Sequence, residues 1–168
     1  MTDIDRAATS VRILRFGEGD VFGAMEAVRD RFMIDGDESG NGFALLQHLM
    51  PPKTLAAPVH RHSREDEYSF VLEGRLGARL GDEEVFAEMG DLVFKPRGQW
   101  HTFWNAGDEP ARILEIISPG GFEKAFREMH LLGDALDPEA MVAIAARYGC
   151  DADFEVTGAL IERHGLVF

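Results

Sequence analysis

Cysteine is nearly absent from this chain: Cys150 is the only one among 168 residues, so no intrachain disulfide can form. Positive charge is also scarce. There are 17 Lys and Arg against 30 Asp and Glu, a formal net charge of −13. A surface of that sign repels phosphate backbones and anionic lipid, which argues against nucleic-acid and membrane partners. No apolar run approaches the ~20 residues of a membrane-spanning helix. The start, Met1-Thr2-Asp3-Ile4-Asp5-Arg6, lacks the basic residues and apolar stretch of a secretory leader. These features together set the expectation of a cytoplasmic protein. A phosphate loop is missing too, since no patterned helix follows Gly17-Glu18-Gly19.

Hydrophobic residues make up 45 % of the chain, enough for a sizeable core. Their arrangement is that of short strands between turns. Val11 to Phe16 is a strand candidate, residues 21–31 have no assignable period, and Phe43 to Met50 is a strand that ends at Pro51-Pro52. Further strands are expected at Tyr68 to Glu73, Leu76 to Leu80, Glu84 to Ala87, Leu92 to Phe94, His101 to Trp104 and Arg112 to Ile117. Turn signals such as Gly81-Asp82, Met89-Gly90-Asp91 and Pro96-Arg97-Gly98 separate them, which argues for a sandwich or barrel. The period changes after Pro119-Gly120-Gly121. Phe122, Ala125, Phe126 and Met129 recur at helical spacing, Asp137-Pro138 is a helix start with Gly149 as its stop, and Glu155 to His164 is a third helix candidate. The expected organisation is an all-β barrel over 1–120 with a helical extension of the same domain over 121–168.

Four side chains stand out against this background. His60 and His62 are two apart on a strand and so share one face. Glu67 follows on the opposite parity, after Ser63-Arg64-Glu65-Asp66, which is polar enough to be a turn that resets the phase. His101 begins a strand after the Pro96-Arg97-Gly98 turn. Three imidazoles and one carboxylate suit a single divalent transition metal, with Fe, Mn, Ni, Cu and Zn all admissible. Glu65 is an alternative carboxylate.

Residues 60–74 read H-x-H-x4-E-x6-G, and residues 90–105 read G-x5-P-x-G-x2-H-x3-N. In these two stretches the chain resembles the cupin superfamily, and more narrowly its small, single-domain, quercetin-dioxygenase-like members. The second motif matches at every defined position. The first departs at its start, where Thr54 stands in place of the usual glycine. The resemblance covers roughly residues 40–118. It implies a double-stranded β-helix barrel of jelly-roll type, with His60, His62, Glu67 and His101 as metal ligands.

Parity on the strands extends the list. Phe103 shares a face with His101, and Ser69 and Val71 share one with Glu67, so all three are expected to line the cavity. His48, in phase with Leu46 and Met50, is either a further cavity residue, as an extra polar group or an acid/base residue, or a hydrogen-bonded, partly buried histidine. Trp100, Trp104, Tyr68 and Phe70 are expected on the outer layer, and His130 and His164 at the surface of the tail. The resemblance implies a metal-dependent enzyme for a small molecule, in first place a dioxygenase for an aromatic or enolic substrate, with Glu67 as ligand or as base. The alternatives are isomerase or decarboxylase chemistry on the same metal and a non-catalytic binding or sensing role. Pairing of copies as a homodimer is expected, with Val11 to Phe16 as the exchanged strand.

Overall fold

The computed structural model describes residues 12–168. Ten strands precede the tail: β1 (Asp20–Phe22), β2 (Arg29–Ile34), β3 (Ala44–Met50), β4 (Val59–His62), β5 (Asp66–Glu73), β6 (Arg75–Leu80), β7 (Glu83–Glu88), β8 (Leu92–Lys95), β9 (His101–Asn105) and β10 (Ala111–Ser118). The tail holds α1 (Glu123–Leu132), α2 (Pro138–Arg147), β11 (Cys150–Asp153) and α3 (Phe154–His164). The strands form two antiparallel sheets, ordered β1-β2-β3-β10-β5-β8 and β11-β4-β9-β6-β7. This is the all-β, double-stranded β-helix barrel that the turn spacing and motifs point to.

Alternation along the strands builds the interior. In β10, Ala111, Ile113, Glu115 and Ile117 are buried while their neighbours are partly exposed; in β5 the buried set is Glu67, Ser69 and Val71. One cluster, with Met50, Val71, Leu76, Phe103 and Ile113, fills one end of the barrel. A second, with Leu46, Ile117, Phe122, Ala125 and Ile144, joins the barrel to α1 and α2. The third lies outside, where Trp104 packs with Leu55, Leu160 and Leu166 beneath α3. Asn105 ties the second motif to the loop after β3: its amide Nδ2 donates to the carbonyls of Met50, Pro51 and Glu109 at 3.1, 3.0 and 2.8 Å.

Two expectations change. Val11 lies outside the described residues, and Arg12–Phe16 is not a strand. Ile13 and Phe16 are 70 % and 85 % exposed, and the Glu18 amide closes a turn on Arg15 O. The outer strand is Asp20–Phe22 instead, paired with β2. The tail is also not wholly helical. Cys150–Asp153 adds an edge strand beside β4, with Cys150 opposite His62 and Ala152 opposite His60. Four residues, two of them aspartates, are too short a run for period to reveal. No helix among the described residues is long and apolar enough to cross a membrane.

Gly77 sits opposite Trp104 in the β6–β9 ladder, and a Cβ there would overlap the indole. Gly77→Ala is therefore expected to destabilise the fold by on the order of 1–3 kcal/mol, the cost of overpacking. Trp104 emission should shift to the red as the ring moves toward solvent. An unchanged unfolding midpoint and spectrum would contradict this packing.

Candidate metal centre

Each of the four ligand-type side chains is delivered by a different local device. β4 puts His60 and His62 on its inner face. Residues 63–65 leave the strand, so β5 starts with its phase reset and Glu67 turned inward. The Pro96–Gly98 turn is pinned to β4 by the Gly98 amide, which donates to His62 O at 2.7 Å, and Gly98 holds the positive φ of 79° that the turn requires. β9 then sets His101 opposite His60. The four buried groups His60, His62, Glu67 and His101 each offer one donor atom, and these atoms lie within 4.8 Å of one another.

Hydrogen bonds fix which nitrogen each ring presents. His60 Nδ1 lies 2.7 Å from Pro58 O and His101 Nδ1 lies 2.9 Å from Gln99 O. A carbonyl only accepts, so Nδ1 carries the proton in both rings and Nε2 turns its lone pair inward. His101 Nε2 then faces Glu67 Oε2 at 3.2 Å, lone pair against lone pair. His62 is fully buried, and neither of its nitrogens makes a hydrogen bond among the described residues. Its Nε2 is 3.1 Å from Glu67 Oε1 without hydrogen-bond alignment, and its Nδ1 is 3.8 Å from Glu65 Oε2. A buried polar atom without a partner costs about 1–3 kcal/mol. A cation among these donors relieves both defects, so the residues present fit a divalent metal. Burial, together with the neighbouring imidazoles of His101 and His62, holds His60 well below the ordinary imidazole value, in the neutral form that binds metal.

Glu67 is the buried charge that needs most support. Burial pushes its carboxyl up, but the Lys95 ammonium and then His62 outweigh that and hold it well below the usual carboxylate range. Lys95 Nζ lies 2.9 Å from Glu67 Oε2 and 2.8 Å from Glu115 Oε1, and 4.3 Å from the Phe103 ring centroid. Ser69 Oγ donates to Glu115 Oε2 at 2.5 Å. Sequence reasoning missed Lys95 and Glu115, although a signal was there: each occupies a core-facing phase on its strand, two residues from buried Val93 and Ile113. Burial opposes the Lys95 charge, while Glu115 and Glu67 raise its pKa above the ordinary lysine value.

A cavity of about 180 Å³ opens beside the cluster, reaching His60 and Glu67. Phe103 and Phe122 line it, and the tail contributes Phe126, Met129 and Val142. Of the residues expected there, His48 and Phe103 line it, whereas Ser69 and Val71 do not. Ser69 is committed to Glu115, and Val71 belongs to the apolar cluster at the barrel end. His48 Nδ1 bonds Asp30 Oδ1 at 2.6 Å, and Asp30 Oδ2 bonds His130 Nε2 at 2.8 Å. His130, expected at the surface of the tail, is a cavity residue. Nothing in its helical spacing could show that, and Asp30 lies in the stretch without assignable period.

Comparison with known proteins agrees with this architecture. Residues 47–117 match the family model described as a Cupin domain. The tetracenomycin polyketide synthase protein TcmJ of Streptomyces glaucescens is 42 % identical over 89 residues, 53 % of this chain and 60 % of TcmJ. The polyketide synthase CurC of Streptomyces cyaneus is 35 % identical over 82 residues, 47 % of this chain and 50 % of CurC. The chain thus spans between half and three-fifths of these curated relatives. KdgF from Halomonas sp. superposes with a TM-score of 0.59 at 15 % identity, over 68 % of this chain and 99 % of KdgF. An RmlC-like cupin from Shewanella frigidimarina does so at 0.56 and 15 %, over 68 % and 96 %. At those identities the two structures speak for the fold alone.

Lys95→Met strands the Glu67 and Glu115 carboxylates in the interior. Removing one partner of a buried ion pair costs about 3–5 kcal/mol, and a loss of that size is expected in urea unfolding of the metal-free protein. Replacing Glu115 by Gln in the same chain should recover part of it. A loss under about 1 kcal/mol would show that Lys95 does not carry this charge balance.

Proposed function

The chain is a small member of the cupin superfamily through residues 47–117, and from that premise we propose that it is a metal-dependent enzyme for a small apolar molecule of aromatic or enolic type. The observation that carries the proposal is the meeting of His60, His62, Glu67 and His101 at one end of an apolar cavity. In this reading the three imidazoles and Glu67 hold one divalent ion. When bound, that ion supplies Lewis-acid polarisation of a ligand oxygen. Lys95 keeps Glu67 ionised and aimed, so Glu67 serves as a ligand; to act as a loosened base it would have to leave Lys95 as well.

The lining supports the substrate class. Polar groups gather at the cluster end of the cavity and along Asp30, His48 and His130, and among the described residues no lysine or arginine lines the wall. Phosphates and polycarboxylates therefore find no fixed cation other than the metal. The volume lies below the roughly 300–1,000 Å³ of drug-sized sites, which favours a mono- or bicyclic ligand. The names of TcmJ and CurC, both polyketide synthase proteins, support a polyketide-like ligand. Two chemistries compete for it. The resemblance to quercetin-dioxygenase-like cupins favours a dioxygenase. The Asp30-bound His48 favours proton transfer without dioxygen, as in an isomerase or decarboxylase.

Protein purified without a metal-affinity tag should hold about one divalent ion per chain by elemental analysis, and His101→Ala should hold little. Turnover of flavonols, catechols or diketones with oxygen uptake selects the dioxygenase, and turnover without it selects proton transfer. Negligible metal in both proteins after loading would contradict the proposal.

A further inference from the structure

Three elements bring a second set of titratable groups to the cavity wall. Asp30 on β2 stands opposite His48 on β3 in the ladder, and His130 comes from α1. All three side chains are largely buried, with exposures of 10 %, 6 % and 19 %. The Asp30 carboxylate takes one imidazole on each oxygen, at 2.6 Å from His48 Nδ1 and 2.8 Å from His130 Nε2. A carboxylate accepts, so His48 Nδ1 donates and the tautomer is set. His48 Nε2 makes no hydrogen bond among the described residues, and its ring lines the cavity. The ring is held between Phe103 and Phe126, at centroid distances of 5.4 and 6.2 Å. His130 is stacked on Phe22 at 5.6 Å.

A histidine that only filled the core would need neither a charged carboxylate behind it nor a second imidazole behind that. The arrangement is that of an oriented base: a carboxylate fixes one nitrogen and leaves the other free in an apolar site. We propose that His48 Nε2 is the proton acceptor and donor of this cavity, with Asp30 and His130 as its positioning residues. The proposal rests on the reading that the cavity holds an enolisable small molecule.

The step balances without a redox partner. Neutral Nε2 takes a proton from the carbon beside a carbonyl; the C–H bond breaks, its electron pair passes into the enolate, and an N–H bond forms. Return of the proton to carbon or oxygen restores the ring. Four groups face His48: Asp30 from β2, Glu115 from β10, Lys95 from β8 and, through Asp30, His130 from α1. Burial disfavours the imidazolium and Lys95 opposes it, but Asp30 and then Glu115 outweigh both, so His48 is a stronger base than free imidazole. Burial likewise opposes the Asp30 charge, and the two histidines overcome it, His48 first, holding the carboxyl at about 2.

The probe is α-tetralone in D2O with the zinc-loaded full chain, followed by NMR for deuterium beside the carbonyl. The wild-type protein should accelerate exchange, with a rate that rises with pH through the His48 titration and then levels. His48→Gln should lose about 100-fold or more, the lower range for a general base, while keeping its zinc. In Asp30→Asn the inflection should move to lower pH, since the charge that raises the His48 pKa is gone; His130→Gln should keep exchange and alter the profile less. A variant that merely loosened the fold would lower the rate without moving the inflection. Undiminished exchange in zinc-bearing His48→Gln, or an unmoved inflection in Asp30→Asn, overturns the relay and leaves the proposed function standing. Absence of exchange by the wild-type protein overturns the enolisation reading and the relay with it.

Discussion

The Glu67 carboxylate, 3 % exposed, is the charge around which the interior is arranged. An isolated carboxylate at that depth would neutralise itself. It stays ionised because Lys95 stands directly across the β5–β8 ladder. Lys95, fully buried as well, is tolerable only because Glu115 takes its other side. Glu115 in turn sits across from Ser69 in the β5–β10 ladder and receives its hydroxyl. Glu67 and this supporting chain belong to one sheet, while the three histidines come from β4 and β9 of the other. Glu67 is thus the point where the two halves of the barrel meet electrostatically. Its approach to His62 and His101 is an opposition of donors that a metal ion would turn into attraction.

The ligand set was legible in the sequence because strand parity and turn chemistry act locally. His60 and His62 follow from a period of two, Glu67 from a polar break that resets it, and His101 from a proline–glycine turn. Parity also gave the inward direction of Ser69 and Val71 correctly, since both are fully buried. It could not give their height along the barrel, and that decides whether a side chain meets the cavity, a carboxylate or the far apolar cluster. Lys95 and Glu115 were readable as charged residues in core-facing phase, but their meaning depends on cross-strand partners distant in sequence. Asp30 was hidden for another reason: the β2–β3 register shifts between Phe32 and Ile34, and three successive β2 residues, Asp30, Arg31 and Phe32, are buried regardless of face, so alternation fails there.

The tail shows the same limit at larger scale. The Asp137 cap was visible, and it does accept the hydrogen bond that starts α2; Asp153, which the spacing did not single out, does the same for α3. Where these elements dock was not visible, because amphipathic spacing identifies a buried stripe but not its partner. Docked, the tail becomes part of the site. α1 brings Phe126, Met129 and His130 to the cavity, α2 brings Val142, and β11 lies beside the strand that carries His60 and His62. The barrel supplies the four side chains that fit a divalent metal, and the tail supplies much of the apolar enclosure and the third member of the Asp30 group.

All of this turns on one ion being held by residues from both sheets. X-ray absorption at the metal edge of the loaded protein tests it most directly. The account predicts a shell of nitrogen and oxygen donors with the multiple-scattering signature of three imidazoles, falling to two in His101→Ala. A spectrum without imidazole scattering, or one that His101→Ala leaves unchanged, would contradict it.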